Sequence, residues 1–117
     1  MVTKTYMDGS KLRQFITPYS LDTKIDAFCE LTARWWNTLL EISPPDAGSW
    51  PTRICPTYDT EGDLISIQLS DDGIGWASLN VAFEHGDESI IRVKGEIKAW
   101  FGEGSFETKD LLHGDDD

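Results

Sequence analysis

The hydrophobic pattern of this chain changes its period once, and that change constrains the fold most strongly. From Leu21 to Ile42 the apolar residues occupy one half of a helical wheel, which predicts a long amphipathic helix over about residues 20–42. From residue 53 onward apolar and polar residues alternate, as in strands with one buried face. The apolar half of the helix has only that sheet to pack against. We therefore predict an α+β fold of two layers, with one long helix on a meander of three or four antiparallel strands.

The ends of the predicted helix have typical capping residues. Ser20 lies at the N-cap position, and Asp22 and Asp26 follow early enough to favour the positive end of the helix dipole. Two prolines at 44–45 end the helix, because proline cannot continue the backbone hydrogen bonding. Upstream, residues 11–16 fit either a short helix or a short strand.

We predict a single domain over residues 1–117. The alternating part of the chain divides into four strand segments. The first contains Pro56, which has no backbone N–H, so we expect this strand at an edge or a bulge. The segments are residues 53–58, 64–70, 74–83 and 90–101. Beyond them we predict an acidic tail at 102–117, in which the apolar anchors are Phe106, Leu111 and Leu112.

The turn residues predict how the strands pair. Residues 71–73 suit a three-residue hairpin loop ending in glycine, which would pair Ser70 with Ile74 and keep the apolar faces aligned. In the last hairpin, Trp76 should lie opposite Lys98.

The charge of the chain is strongly acidic and unevenly distributed. The net charge is −11, and 15 of the 21 acidic residues follow residue 58. A field of this sign repels nucleic acid and anionic membranes and favours encounter with basic proteins. We therefore expect one basic protein partner and no direct contact with nucleic acid or membrane. Imitation of nucleic-acid charge in a basic groove fits the same composition.

Carboxylates in the turns form the first candidate binding surface. Alternate turns of a meander lie at the same end of the sheet, so the turn at 59–63 should neighbour the turn at 84–88. The alternative is that these are solvated turns with no specific role. The turn at 59–63 lacks the later bidentate glutamate of a calcium-binding EF-hand, so we expect no metal site. The candidate residues are Asp59, Glu61, Asp63, Asp71, Asp72, Glu84, Asp87 and Glu88.

Three tryptophans form the second candidate surface. Trp76 and Trp100 should lie on the outer face of the sheet, next to lysine and arginine side chains of the last strand. Trp50 lies in a proline-flanked loop. Each is an anchor of the kind enriched in protein interfaces. The alternative is a structural role, in which Trp50 closes one end of the core and the other two are covered by a terminal segment.

Cysteine usage and the absence of long apolar runs bear on the compartment. We expect Cys29 and Cys55 to be two buried free thiols in a reducing cytoplasm, although a disulfide between them is left open. No run reaches the length of a signal peptide or of a membrane span. We therefore expect a cytoplasmic protein.

Catalytic and cofactor motifs are absent from the sequence. It has two histidines and no nucleophile elbow, phosphate-binding loop, dinucleotide fingerprint or zinc-protease motif. Cys29 falls on the buried helix face, where a core thiol is expected instead of a nucleophile. We expect no enzyme, no catalytic residue and no cofactor.

These observations lead to one functional hypothesis and two alternatives. The chain is expected to be a small inhibitor or neutraliser that occludes the basic surface of a toxin, a nuclease or a defence protein. It would be similar in general character to immunity proteins and phage anti-defence proteins. The first alternative is an acidic escort chaperone for a secreted effector, and the second is a small metal-dependent or ligand-binding enzyme. The oligomeric state, monomer or homodimer, is left open.

Overall fold

A computed structural model describes residues 6–19, 21–42, 51–71, 76–99 and 102–112. Within these ranges the fold is α+β, with two helices and one antiparallel sheet. The strands follow in the order β1-β2-β3-β4-β5, which is a meander, and Pro56 lies in the edge strand β1, as predicted. The elements are α1 (Gly9–Ile16), α2 (Thr23–Ile42), β1 (Arg53–Tyr58), β2 (Leu64–Asp71), β3 (Trp76–Glu84), β4 (Asp87–Ala99) and β5 (Gly102–Leu111).

Helix α2 begins later than predicted. The side chain of Asp22 accepts a hydrogen bond from the backbone N–H of Lys24 at 2.9 Å, so Asp22 caps the helix. Ser20 lies outside the described residues. Leu21, expected on the apolar face, precedes the helix and is 95% exposed. Neither described helix is long and apolar enough to cross a membrane.

The apolar half of α2 packs on one face of the sheet, as predicted. Phe28 stacks on Phe83 of β3, with ring centroids 4.7 Å apart, and Trp35 stacks on Phe106 of β5 at 5.3 Å. Trp36, the residue after Trp35, is fully buried and contributes to the same core. On the sheet side the core consists mainly of Ile67, Leu69, Leu79, Val81, Ile91 and Val93.

A second helix, α1, lies beside α2, and its last residue contacts β1. Asp8 caps it by accepting from the backbone N–H of Ser10, and the hydroxyl of Tyr58 in β1 donates to the carbonyl oxygen of Ile16 at 2.9 Å. Gly9 permits the two helices to approach closely, because a Cβ there would lie 3.0 Å from the Cα of Glu30. The prediction left residues 11–16 open between helix and strand, and this packing decides for helix.

Helix α2 also binds the chain that precedes α1. The amide side chain of Asn37 accepts from the backbone N–H of Met7 at 2.6 Å and donates to its carbonyl oxygen at 3.0 Å. The hydroxyl of Tyr6 donates to Glu41 at 2.7 Å, and this hydrogen bond raises the pKa of Tyr6 above its usual value. These contacts attach the segment to the solvent side of α2.

The predicted strand pairing is correct in one hairpin and wrong in the other. Trp76 pairs with Lys98, which confirms the register of β3 and β4. Ser70 pairs with Ser78 instead of Ile74. The difference is an even number of residues, so the paired residues of β2 and β3 keep their predicted faces. The residues that would form the predicted three-residue turn, apart from Asp71, lie outside the described part of the chain.

The sheet extends beyond the predicted strands, because residues 102–111 form β5 instead of a tail. Glycines and polar residues dominate this segment, so its strand propensity is low. Pairing with β4 and the ring of Phe106 compensate. That ring covers Gly95, where a Cβ would overlap ring atom Cε1.

Candidate functional site

Carboxylates from three segments meet at one end of the sheet. We call this surface the acidic pole and define it by Asp22, Asp59, Glu61, Asp63 and Glu88. Asp22 precedes α2, the next three residues lie in the β1–β2 turn, and Glu88 follows the β3–β4 turn. All five are exposed. The prediction that these two turns are neighbours is confirmed, since Asp59, Asp63 and Glu88 line one pocket of about 310 Å³.

The pocket at the acidic pole combines an apolar floor with a charged rim. Ile25, Leu64, Ile65 and Phe83 supply the apolar lining, and Asp22 lies at the rim with the carboxylates of the two turns. Ile65 lines the pocket and remains 41% exposed. Such a lining can contact the aliphatic stem of a basic side chain, while the rim pairs with its charged end.

Lys24 is a cation within this pocket. Its Nζ atom forms an ion pair with Glu88 and lies 5.9 Å from the centroid of the Phe83 ring. The hydrogen bond to Glu88, followed by the charges of Glu88, Asp22 and Asp63, raises the pKa of Lys24 above its ordinary value. The pocket therefore already stabilises one ammonium group by carboxylates and an aromatic face.

The β1–β2 turn is organised by Asp59. Its Oδ1 atom accepts from the backbone N–H groups of Glu61 and Asp63, each at 2.9 Å, and Gly62 adopts a φ of 89° that glycine tolerates without strain. The ligand oxygens of the three acidic residues lie within 4.8 Å of one another. Asp59 already uses its Oδ1 atom in the turn, and all three side chains are exposed. Calcium takes six to eight oxygens, so this cluster alone does not define a metal centre.

The other predicted carboxylates are engaged locally or buried. Glu84 pairs with Lys109 at 3.1 Å. Asp87 accepts from both the hydroxyl and the backbone N–H of Ser89, and these bonds lower its pKa. The prediction that Asp71 belongs to an exposed turn is wrong, because Asp71 is the last residue of β2 and only 7% exposed. Asp72 lies outside the described residues.

The candidate tryptophans are only partly placed. Trp50 and Trp100 lie outside the described residues. Trp76 begins β3, and its side chain is likewise outside the description. The two tryptophans of α2 are core residues instead, and the ring nitrogen of Trp35 donates to Asp110 at 3.2 Å.

The outer face of the sheet is exposed and polar. Arg92, Lys94 and Lys98 of β4 are exposed there, as predicted, and Arg92 pairs with Glu107 at 3.1 Å. A shallow pocket of about 430 Å³ lies over this face, with Gln68 and Asn80 in its lining. The basic residues of β4 thus face away from the helices, on a different surface from the acidic pole.

The two cysteines differ. Cys29 is fully buried in α2, and burial raises its pKa to about 12, so its thiol stays protonated and is not a nucleophile at neutral pH. The prediction that Cys55 is buried is wrong, because its side chain is exposed. Its position in β1 alternates with the inward residues Ile54 and Pro56. Both thiols are free, which answers the open question of a disulfide.

Exposed apolar residues near the acidic pole were missed by the sequence analysis. Tyr19 and Leu21 are each 95% exposed, and Phe15 is 63% exposed. They lie in or beside the connection between the helices, whose residues Thr17 and Asp22 line the pocket. The helical periodicity placed Leu21 in the core. Its position directly before the Asp22 cap is the signal that could have placed it outside the helix.

Comparison with known proteins gives no assignment, because no family model matches the chain and neither a curated protein nor a solved structure is significantly similar to it.

Proposed function

We propose that this protein is a small inhibitor or neutraliser that binds a basic protein through its acidic pole and blocks the working surface of that protein. The observation that carries the proposal is the convergence of Asp22, Asp59, Asp63 and Glu88 around an apolar pocket. Carboxylates from separate segments that share one pocket form a surface complementary to lysine and arginine side chains. Exposed Tyr19 and Leu21 supply apolar contact area beside it.

Charge supports the same partner class. The net charge of −11 accelerates encounter with a cationic surface, and the field is strongest where like charges gather. Steering of this kind raises the association rate and favours one orientation of docking. A toxin, a nuclease or a component of a defence system would present such a basic working surface. Two free cysteines support a reducing compartment, the cytoplasm.

The ion pair of Lys24 with Glu88 supports a way in which the pocket would hold a basic partner. A guanidinium or ammonium group from the partner would take the position over Phe83, or would pair with Asp59 and Asp63 at the other side of the rim. The inhibitor needs no chemical step, because occupation of the basic surface is sufficient to exclude its substrate.

The test is capture of the partner from a lysate of the source, followed by measurement of its association rate with matched variants. Glu61→Lys changes the acidic pole, and Glu96→Lys makes the same change of charge on the open sheet face. We expect one stoichiometric partner whose association slows steeply as salt rises. We expect Glu61→Lys to slow association about tenfold at low salt and Glu96→Lys to have a much smaller effect.

Three results would contradict the proposal. If both variants slowed association equally, the net charge of the protein would set the association rate and the acidic pole would have no specific role. An association rate that does not depend on salt would exclude electrostatic steering. A client that is retained only through an unfolded segment would indicate the escort chaperone instead.

A further inference from the structure

Strand β5 forms one edge of the sheet, and in the described part of the chain its outer side has no partner strand. The strand is ten residues long. The opposite edge, β1, is shorter and contains Pro56. Proline at an edge blocks further pairing, whereas a long strand without proline presents N–H and C=O groups that can pair with another strand. The two edges therefore differ in their capacity to bind.

Two opposite charges of β5, on Glu103 and Lys109, lie symmetrically about Phe106. Phe106 lies in the middle, Glu103 lies three residues before it, and Lys109 lies three residues after it. Glu103 and Lys109 are both exposed on the outer face of the sheet. A strand that is paired antiparallel with a copy of itself, centred on Phe106, places each glutamate opposite a lysine.

We propose that two copies of this protein pair antiparallel through β5, with Phe106 facing its counterpart and Glu103 of each copy opposite Lys109 of the other. The pairing continues the meander into one sheet with the helices of both copies on the same side. Opposite charges directly across an antiparallel pair are stabilising, and like charges are destabilising.

Other registers that keep the faces of the sheet continuous are less favourable. Paired residues must lie on the same face of the sheet, so the centre of the pairing must fall on a residue. The alternative registers are therefore centred on neighbouring residues of β5. A centre at Glu107 places that residue opposite itself, and a centre at Ser105 places Glu103 opposite Glu107. A centre at Thr108 pairs Glu107 with Lys109 but overlaps only over 105–111, whereas the centre at Phe106 overlaps over 102–110.

The contacts within one copy do not prevent this pairing. Lys109 bonds to Glu84 at 3.1 Å, yet its side chain remains 57% exposed. Glu103 pairs across the strand with Lys98 of β4. A residue on an edge strand has a neighbouring strand on one side only. Glu103 and Lys109 can therefore interact with β4 on that side and with a second copy on the other.

The experiment measures the oligomeric state by sedimentation velocity over a range of concentrations. We expect the wild type to form a dimer in a concentration-dependent way. Glu103→Lys or Lys109→Glu alone creates two like-charge contacts across the dimer, and each should raise the dimer dissociation constant about tenfold. The double variant, which exchanges the two charges, should restore dimerisation. Glu96→Lys on β4 is the control for net charge and should have little effect.

A second measurement keeps the result independent of folding defects. Thermal unfolding of every variant verifies that the monomer is intact, and amide hydrogen exchange of residues 103–109 should slow as the wild-type concentration rises. A protein that stays monomeric at its solubility limit would overturn the proposal. A dimer that neither single variant weakens, or that shows no added protection in β5, would also overturn it.

Discussion

At single positions, the packing under α2 depends on the absence of a side chain at Gly95. The ring of Phe106 occupies the space where a Cβ would stand, and that ring stacks on Trp35 at 5.3 Å. Three residues from three elements are thereby fixed in one arrangement. Any atom added at Gly95 must displace the phenyl ring.

We predict that Gly95→Ala destabilises the protein. The added methyl group overlaps Phe106, and overpacking of a core contact typically costs about 1–3 kcal/mol. Urea unfolding measures this change. Gly104→Ala is the matched control on β5, because nothing lies within 4 Å of a Cβ there, and its free energy of unfolding should stay near that of the wild type. A Gly95→Ala variant as stable as the control would contradict the packing.

The buried thiol of Cys29 predicts a dependence of stability on alkaline pH. Its pKa in the folded protein is raised by burial to about 12 from an ordinary value of 9.0. Below pH 9.0 both states keep the proton, and between that value and about pH 12 only the unfolded state loses it. The free energy of unfolding should therefore fall as pH rises through this window, by at most about 1.4 kcal/mol per pH unit.

Urea unfolding at a series of pH values tests this effect. Cys29→Ala removes the titrating group and should flatten the alkaline slope, whatever the cost of the lost side chain at neutral pH. Cys55→Ala, at an exposed position, should keep the wild-type slope. Parallel curves for the wild type and Cys29→Ala would exclude Cys29 as the cause.

At the level of elements, periodicity predicted those that bury a continuous apolar face. Helix α2 and strands β2, β3 and β4 carry a pattern long enough to be recognised, and the pairing of β3 with β4 follows from their alternation. Strand β5 has no such pattern. It forms because it pairs with β4 and because the ring of Phe106 packs over Gly95. Neither contact can be predicted from the residues of β5 alone.

Helix α1 shows the same dependence on distant contacts. Its eight residues are too few for a helix to be stable by itself in water. The close approach at Gly9, the Asp8 cap and the hydrogen bond from Tyr58 to Ile16 supply what the sequence of α1 lacks. Apart from the Asp8 cap, the residues that stabilise it lie in α2 and β1, far from α1 in sequence.

Over the whole molecule, negative charge is in excess and acts against the compact state. In each described ion pair at least one side chain is half exposed or more, and pairs in contact with solvent contribute only about 0–1 kcal/mol each. The repulsion among the remaining carboxylates is long-ranged at low ionic strength. Added salt weakens both the repulsion and the ion pairs. The relief of the repulsion should therefore outweigh the weakening of the ion pairs.

We predict that the protein melts at a higher temperature in physiological salt than in dilute buffer. Screening that contributes about 1 kcal/mol would raise Tm by about 4 °C for a domain of this size. Differential scanning calorimetry measures the shift. The variant Glu61→Gln/Asp63→Asn should melt higher than the wild type in dilute buffer and gain less from salt. A Tm that falls with salt would mean that the ion pairs dominate.

The sequence by itself determined the α+β class, the helix that covers the sheet, the central strands and the concentration of acidic residues after residue 58. These follow from local periodicity and composition, which need no knowledge of neighbours. Only the tertiary structure decided that Asp71 is buried, that Cys55 is exposed, and that Asp22 shares a pocket with Asp63. The reason is physical: burial and proximity depend on residues that are distant in sequence and meet only after the chain has folded.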